Sequence, residues 1–572
     1  KMLRKFQLFA LIFILLLTSY VSCRVILEPD LIFDQTPPSD WKRVSDITEC
    51  GHHISLGIAL KQQNTQLLQP LLYKLGSPSS AHYGKWMAYQ EIQDLVRPSQ
   101  ETYERVEQWL VDAGVHIIDK RLNGVDFLRV QMPLNDAERL LDVRLSCFAH
   151  VQHDEIKIFR SLDHYSVDDA VGDHIDLISG VVRFPHVKNT PLPNDDDEIV
   201  GFKTTPQSIQ QRYNITVPKD MSGKNSQSVV SFLGQYWSPS DLEKFQKNFD
   251  LPVRPIDHLY GFNDPNKPGV EASLDVQYLS GVLDSSIPTV VYSTNGTTPS
   301  GNEPFLDWLE LLNTQSSIPY VFSISYQDYE NTVGNAYAIR VNTEFQKNTL
   351  RGSTFATGSG DSGVGCKDLG TGGVSCSTFN AEFPSTSPVV VSLGATTLSA
   401  FTQIEESIDF SSGGFSNIFG RQSYQEKAVS QFLSQPELPP SSYYNQTGLG
   451  FPDLSTIGKN FQVFYKGIPI PVAGTSASTP TFAAMVSMMN TLRLNANQPT
   501  LGFIQPFLYE AWEKNQRAYT TISRSQAQMH GCCQASFTTV QGWSAFAGLG
   551  VPNWGILSEL AMSPSMFPSL FE

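Results

Sequence analysis

Histidine is scarce in the part of this chain that carries its other chemical signals. Only two of the eleven histidines in the 572 residues, His258 and His530, lie beyond residue 200, and neither stands in a recognisable catalytic motif. A serine hydrolase of the usual kind needs a histidine base, so a Ser-His-Asp relay built on His258 is the least favoured hydrolase reading. Basic residues are also in deficit. Forty Lys and Arg stand against 56 Asp and Glu, a net charge of −16, which argues against nucleic acid or an anionic membrane as partner. None of the seven cysteines has zinc-site spacing. Beyond the N-terminus no uncharged apolar run approaches transmembrane length, and no internal repeat is visible.

What is present begins with a secretory signal. Lys1, Arg4 and Lys5 precede an apolar run from Phe6 to Leu17, with cleavage expected near Cys23/Arg24, so residues 1–23 read as a signal peptide. A chain so targeted is expected to be free of the membrane once the signal is removed. Six cysteines then remain, an even number that fits disulfides in an oxidising compartment. Cys50 and Cys147 are the pair available in the first block. Cys366, Cys376, Cys532 and Cys533 allow three pairings; adjacent cysteines rarely bond each other, so Cys366 and Cys376 are expected to take one each. Sequons at Asn214, Asn295 and Asn445 fit a glycosylated lumenal protein.

Residues 24–190 mix helix-like stretches (Glu101 to Asp112, Asn135 to Val143) with strand-like runs such as Asp126 to Met132, an α+β pattern. Residues 191–199 contain two prolines and four consecutive acids. They cannot bury a core, and they read as an exposed linker open to proteolysis. From about Val200 to residue 572 the pattern changes. Apolar strands at Ser228 to Gly234, Thr289 to Tyr292, Tyr320 to Ser325 and Val389 to Leu393 alternate with helices at Val270 to Leu279, Phe305 to Leu312, Ala336 to Leu350 and Ser478 to Leu492. This predicts an α/β domain with a mostly parallel sheet covered on both faces, and a site at the carboxyl ends of its strands.

Three segments of this second block could build such a site. Gly474-Thr475-Ser476 is a tight turn that presents a serine at a helix start, where the dipole favours developing negative charge. Glu271 and Asp275 are four apart and share one helix face, yet they stand among Val270, Ala272, Leu274, Val276 and Leu279 rather than on a solvated surface. Asp361 sits in Gly358-Ser359-Gly360-Asp361-Ser362-Gly363, whose glycines permit a close turn after a strand. Each has an ordinary structural explanation: a helix cap, a surface acid pair, an Asx turn. Together they supply a nucleophile (Ser476), a general base (Glu271), a carboxylate to orient it (Asp275) and a protonated acid to bind an oxyanion (Asp361). A base that must be ionised beside an acid that must be neutral predicts activity in acid.

In these motifs the chain resembles the sedolisin, or serine-carboxyl peptidase, family over nearly its whole length. Pro78 to Lys85 and Leu95 to Ser99 resemble the family's activation propeptide; Gln211-Arg212-Tyr213-Asn214 resembles the start of the mature enzyme; Gly414 to Asn417 and Leu438 to Tyr443 are further matches. The resemblance implies a subtilisin-like fold preceded by an α+β activation propeptide that inhibits its own enzyme. It also implies maturation near Val200, release of tripeptides from polypeptides with free N-termini, and a lysosomal location, with secretion the alternative. An acid endopeptidase of the same fold and a non-catalytic peptide-binding relative are the competing readings. The resemblance further implies a calcium site near the C-terminus, at positions matching Thr521, Ile522, Gly542 and Ser544. The family's two aspartates are replaced here, so a weak or empty site is expected, with a disulfide through Cys532 or Cys533 in its place. Ala473 stands where the family has serine. Nine histidines, His52, His53, His82, His116, His150, His153, His164, His174 and His186, fall in residues 1–199 and are candidates for an acid-sensitive release of the propeptide.

Overall fold

The computed structural model describes residues 23–31, 33, 35–120, 126–151, 156–185, 202–218, 224–294, 304–365, 378–399, 404–522, 529–531 and 535–563. The signal peptide up to residue 22, the linker 191–199, the maturation site near Val200, Asn295, His153, His186 and the four cysteines 366, 376, 532 and 533 lie outside the described residues.

The N-terminal block is α+β. Strands His116–Lys120, Phe127–Pro133, His53–Leu60 and Ile175–Ser179 lie in that order in an antiparallel sheet. The helix Gln100–Asp112 is capped by Ser99, whose side chain accepts from the Thr102 N–H, and it buries Thr102, Val106 and Leu110 at helical spacing. A second antiparallel sheet, Trp41–Arg43, Ser146–His150 and Lys157–Arg160, is tied down by the Cys50–Cys147 disulfide, as the sequence pairing required.

The second block is built on an eight-stranded sheet. Its strands are β1 (Gln227–Phe232), β2 (His258–Gly261), β3 (Thr289–Thr294), β4 (Val321–Ile324), β5 (Thr354–Gly358), β6 (Val390–Leu398), β7 (Glu405–Ser407) and β8 (Leu454–Ile457). The order is β2-β3-β1-β4-β5-β6-β7, with β8 beside β6. Every pairing is parallel except β6–β7. Strands β1, β3, β4 and β6 were legible because they are largely buried on both faces and read as apolar runs, whereas β2, β5, β7 and β8 were not read from the sequence.

Four helices matter for the site: α1 (Val270–Gly281), α2 (Pro304–Leu312), α3 (Asn335–Thr349) and α4 (Thr475–Asn495). Helix α1 is buried from Glu271 through Gly281, and α4 is buried from Thr475 through Thr491, so both are core helices rather than surface ones. They share one apolar cluster with β1, β6 and β8. Helix α4 starts three residues earlier than its apolar pattern indicates. The residue before it, Gly474, has φ +152°, where only glycine is comfortable, and a side chain there would press on Asp361.

The two blocks meet along α2 and α3. Leu68, Leu72, Ile92 and Phe127 of the first block join Trp308, Val341, Phe345 and Phe355 of the second in a single buried cluster. Charged groups sit inside it. Arg129 Nη2 donates to Asp307 and, at 2.7 Å, to Glu310. Lys347 Nζ donates to Asp126 at 2.8 Å and to Glu344 at 2.6 Å, and Arg340 reaches Glu344 and Asp176. His52, His53 and His82 are exposed, His174 bonds Thr102, and His164 contacts the Pro29 carbonyl, all within the first block.

Three carboxyls of the second block are held above their ordinary range. Burial raises Glu330 and Glu405, and it pushes Asp453 up to about 7. Asp453 directly precedes β8 and accepts from the Ser392 N–H and the Tyr509 hydroxyl, both at 2.9 Å, bonds that only partly offset its lost hydration. Because the folded value lies above the unfolded one, its contribution is full well below pH 4 and is lost as pH rises towards 7. Between pH 5 and pH 8 this one group is expected to remove about 2–3 kcal/mol of stability. Asp453→Asn should flatten that decline; a thermal-unfolding series against pH checks it, and an unchanged slope in the variant would refute the assignment.

Candidate active site

The site forms where the carboxyl ends of the parallel strands meet the N-termini of α1 and α4. Gly269 opens α1 in an extended conformation, placing Glu271 in its first turn and Asp275 one turn later on the same face. Both are buried, at 9% and 2% exposure, which removes the surface-pair explanation for their spacing. They line a narrow cleft, open at its mouth, together with Val230 to Phe232 of β1, Leu233 and Gln235 just after it, and Ser325 and Tyr326 after β4.

Ser476 occupies the first turn of α4 and is 1% exposed. It is linked to α1 through Ser325, whose Oγ lies 2.7 Å from Asp275 Oδ1 and 3.3 Å from the Ser476 carbonyl oxygen. On the other side, Asp361 follows β5. Its Oδ1 accepts from the Thr475 N–H and from the Thr475 hydroxyl, each at 2.8 Å. The Gly360 N–H lies 3.2 Å from the same hydroxyl oxygen. Gly360 itself has φ +111° and lies flat against the Glu382 carboxylate, with no room for a side chain. Glu382 accepts from Ser412 Oγ, which in turn accepts from the Ser362 N–H, so the turn carrying Asp361 is braced from below.

The structure therefore sets Asp275, through Ser325, and Asp361, through Thr475, about the turn of Ser476, with Glu271 one helical turn from Asp275 in the same cleft. Sequence reading did not find Ser325, Gln235, Tyr326 or Thr475 as parts of the site. The position of Ser325 just beyond a buried parallel strand was the available signal, but serines end many strands.

At the four candidate calcium positions no side chain offers a carboxylate, and Ile522 and Gly542 could contribute only their backbone carbonyls. Ser544 is buried, its Oγ accepts from the Ala547 N–H at 3.1 Å, and its backbone exchanges hydrogen bonds with Gly548 at 3.0 and 2.8 Å. Thr521 supplies a neutral hydroxyl at best, and calcium wants several anionic or carbonyl oxygens.

Residues 39–184 match the family described as Pro-kumamolisin, activation domain. The structure of Pseudomonas sedolisin, a serine-carboxyl proteinase complexed with two molecules of pseudo-iodotyrostatin, superposes with a TM-score of 0.53 at 19% identity, covering 63% of this chain and 98% of that one. The fold is thus that of a sedolisin-type serine-carboxyl peptidase preceded by its activation domain. Tripeptidyl-peptidase 1 of Canis lupus familiaris is 36% identical over 555 residues, 94% of this chain and 96% of the relative. The Homo sapiens protein is also 36% identical over 94% of this chain, and that of Dictyostelium discoideum is 32% identical over 98%. The chain belongs to the tripeptidyl-peptidase 1 family of serine-carboxyl peptidases.

Proposed function

We propose that the chain is an acid-active zymogen whose mature form releases tripeptides from the free N-termini of polypeptides. The observation that carries the reading is that Asp275, through Ser325, and Asp361, through Thr475, both reach the turn of Ser476, with Glu271 beside Asp275 in the cleft. Glu271 takes the Ser476 hydroxyl proton as the Oγ attacks the scissile carbonyl, and later returns it to the leaving amine. Asp275 orients Glu271. Asp361 serves the oxyanion: its Oδ1 accepts from the two Thr475 donors, and its Oδ2 lies on the side of Gly474, where a carboxyl O–H would meet the oxyanion. Burial of the two α1 carboxyls in one cleft forces them to titrate as a coupled pair and sets the acid requirement.

The tripeptide specificity and a lysosomal setting rest on the named relatives; acid chemistry and the acid-favouring Asp453, Glu330 and Glu405 agree with that setting. The first block, by packing on α2 and α3, is assigned the role of inhibitor and chaperone of the same chain. The test is cleavage of a free-amine tripeptide reporter by matured enzyme across pH 3–8 beside the same peptide blocked at its N-terminus. Cleavage of the free peptide in acid, with the blocked one refused, is expected. Cleavage of both would make it an endopeptidase, and no acid activity would leave a peptide-binding relative. No step of this chemistry runs through calcium. Chelator is expected to leave the melting temperature of the mature protein unchanged; a fall of several degrees would show that the C-terminal loop holds the ion after all.

A further inference from the structure

The Ser476 carbonyl has an unusual position in its helix. In α4 its hydrogen-bonding partner four residues on is Pro480, which has no N–H to give. A donor from outside the helix stands in: Ser325 Oγ, 3.3 Å away and 3% exposed, which is also 2.7 Å from Asp275 Oδ1. One hydroxyl therefore faces two acceptors with a single hydrogen.

We propose that Ser325 is a positioning residue that couples Asp275 to the backbone of the nucleophile through its one hydroxyl proton. The proposal rests on the roles given above to Asp275 and Ser476. When Asp275 is ionised, the Ser325 O–H turns to it, since a bond to a carboxylate is the stronger and shorter of the two. When Asp275 carries a proton, that proton can be donated to Ser325 Oγ, and the Ser325 O–H turns to the Ser476 carbonyl. The charge state of the acid pair is thereby felt in the first turn of α4, where the Ser476 side chain must aim at substrate. The titratable groups facing this point are Glu271 on α1, Tyr326 next to Ser325, and Asp361, which reaches the same turn through Thr475. Among the described residues lining the cleft there is no Lys, Arg or His to compete for Asp275.

The test compares Ser325→Ala and Ser325→Thr with wild type in kcat, KM and pH profile, with Ser476→Ala as control. Ser325→Ala is expected to lower kcat by roughly 10- to 100-fold while KM changes by less than about threefold. Loss of a donor to the Asp275 carboxylate favours its protonated form, so the acid limb should move up by roughly 0.5–1 pH unit. Ser325→Thr, which keeps the hydroxyl, should recover most of the rate and the wild-type limb. If Ser325→Ala fails to mature, Ser325→Cys, of nearly equal volume and much weaker as a donor, is expected to show the same changes in smaller degree. A wild-type acid limb in the hydroxyl-less variant, or a rate loss that Ser325→Thr does not recover in a folded enzyme, would overturn the coupling. Ser476→Ala separates the two levels of argument: if it stays active the nucleophile is misassigned, whereas if it is inactive and Ser325→Ala behaves as wild type, only the coupling falls.

Discussion

Ser476→Ala and Glu271→Ala are each expected to lower kcat by about four orders of magnitude or more, and the double variant is expected to be little worse than either single one. Ser476 without a base is a neutral alcohol, and Glu271 without a nucleophile has no proton to take, so the two act as a unit and their losses do not add. The residual activity should come from Asp361 and substrate binding alone. Asp361→Asn is a separate case. Its amide keeps a donor for the oxyanion, so the loss is expected to be smaller, roughly 10²–10³-fold. Matured protein is required, since a variant that cannot process itself would appear inactive for another reason; processing by an added protease and a melting curve close that gap. Full additivity in the double variant, or a Glu271→Ala enzyme within tenfold of wild type, would remove Glu271 from the role of base.

The site was legible in the sequence because each of its parts breaks a local rule. Glu271 and Asp275 break the rule that a buried helix is apolar, Gly474 marks a backbone that no other residue tolerates, and Asp361 sits among glycines in a turn after a strand. Four of the parallel strands, β1, β3, β4 and β6, were equally plain, because burial on both faces writes an unbroken apolar run. What the sequence hides is contact between distant segments. Nothing local distinguishes Ser325 from any other serine at a strand end, nor shows that the Ser476 carbonyl, whose helical partner would be Pro480, meets a hydroxyl from just beyond β4. The charged seam between the blocks was hidden for the same reason. Arg129 alternates with apolar residues on its strand and reads as a solvent-facing position, yet it faces two acids on α2, 178 and 181 residues away.

That arginine carries the second large effect. Arg129→Ala is expected to loosen the activation domain by about 3–5 kcal/mol at neutral pH, the usual cost of stripping one partner from a buried ion pair. Arg129 is 12% exposed at its side chain, and Asp307 and Glu310 are 7% and 6%. Burial disfavours its charge, but Glu310 and Asp307 outweigh burial and hold the guanidinium protonated. Without it, two carboxylates one helical turn apart would face each other in a dry interface. Their pKa values would rise in the assembled zymogen relative to the opened one, so the variant's interface would be firmest in acid and weakest as pH rises towards neutrality. An opening equilibrium shifted by roughly 10²–10⁴-fold follows from that energy. It can be read as limited proteolysis of the activation domain at pH 7, or as tripeptide-reporter activity before any acid step. Arg129→Lys, which keeps the charge but loses the fork that spans both acids, should fall between the two. The residue lies in the activation domain, so the mature enzyme made from each variant is the same molecule, and any difference in its activity after full processing would point away from the interface. Wild-type protection of the Arg129→Ala zymogen at neutral pH would mean that the apolar contacts of Leu68, Leu72, Ile92 and Phe127 with α2 and α3 hold the blocks together without the charged seam.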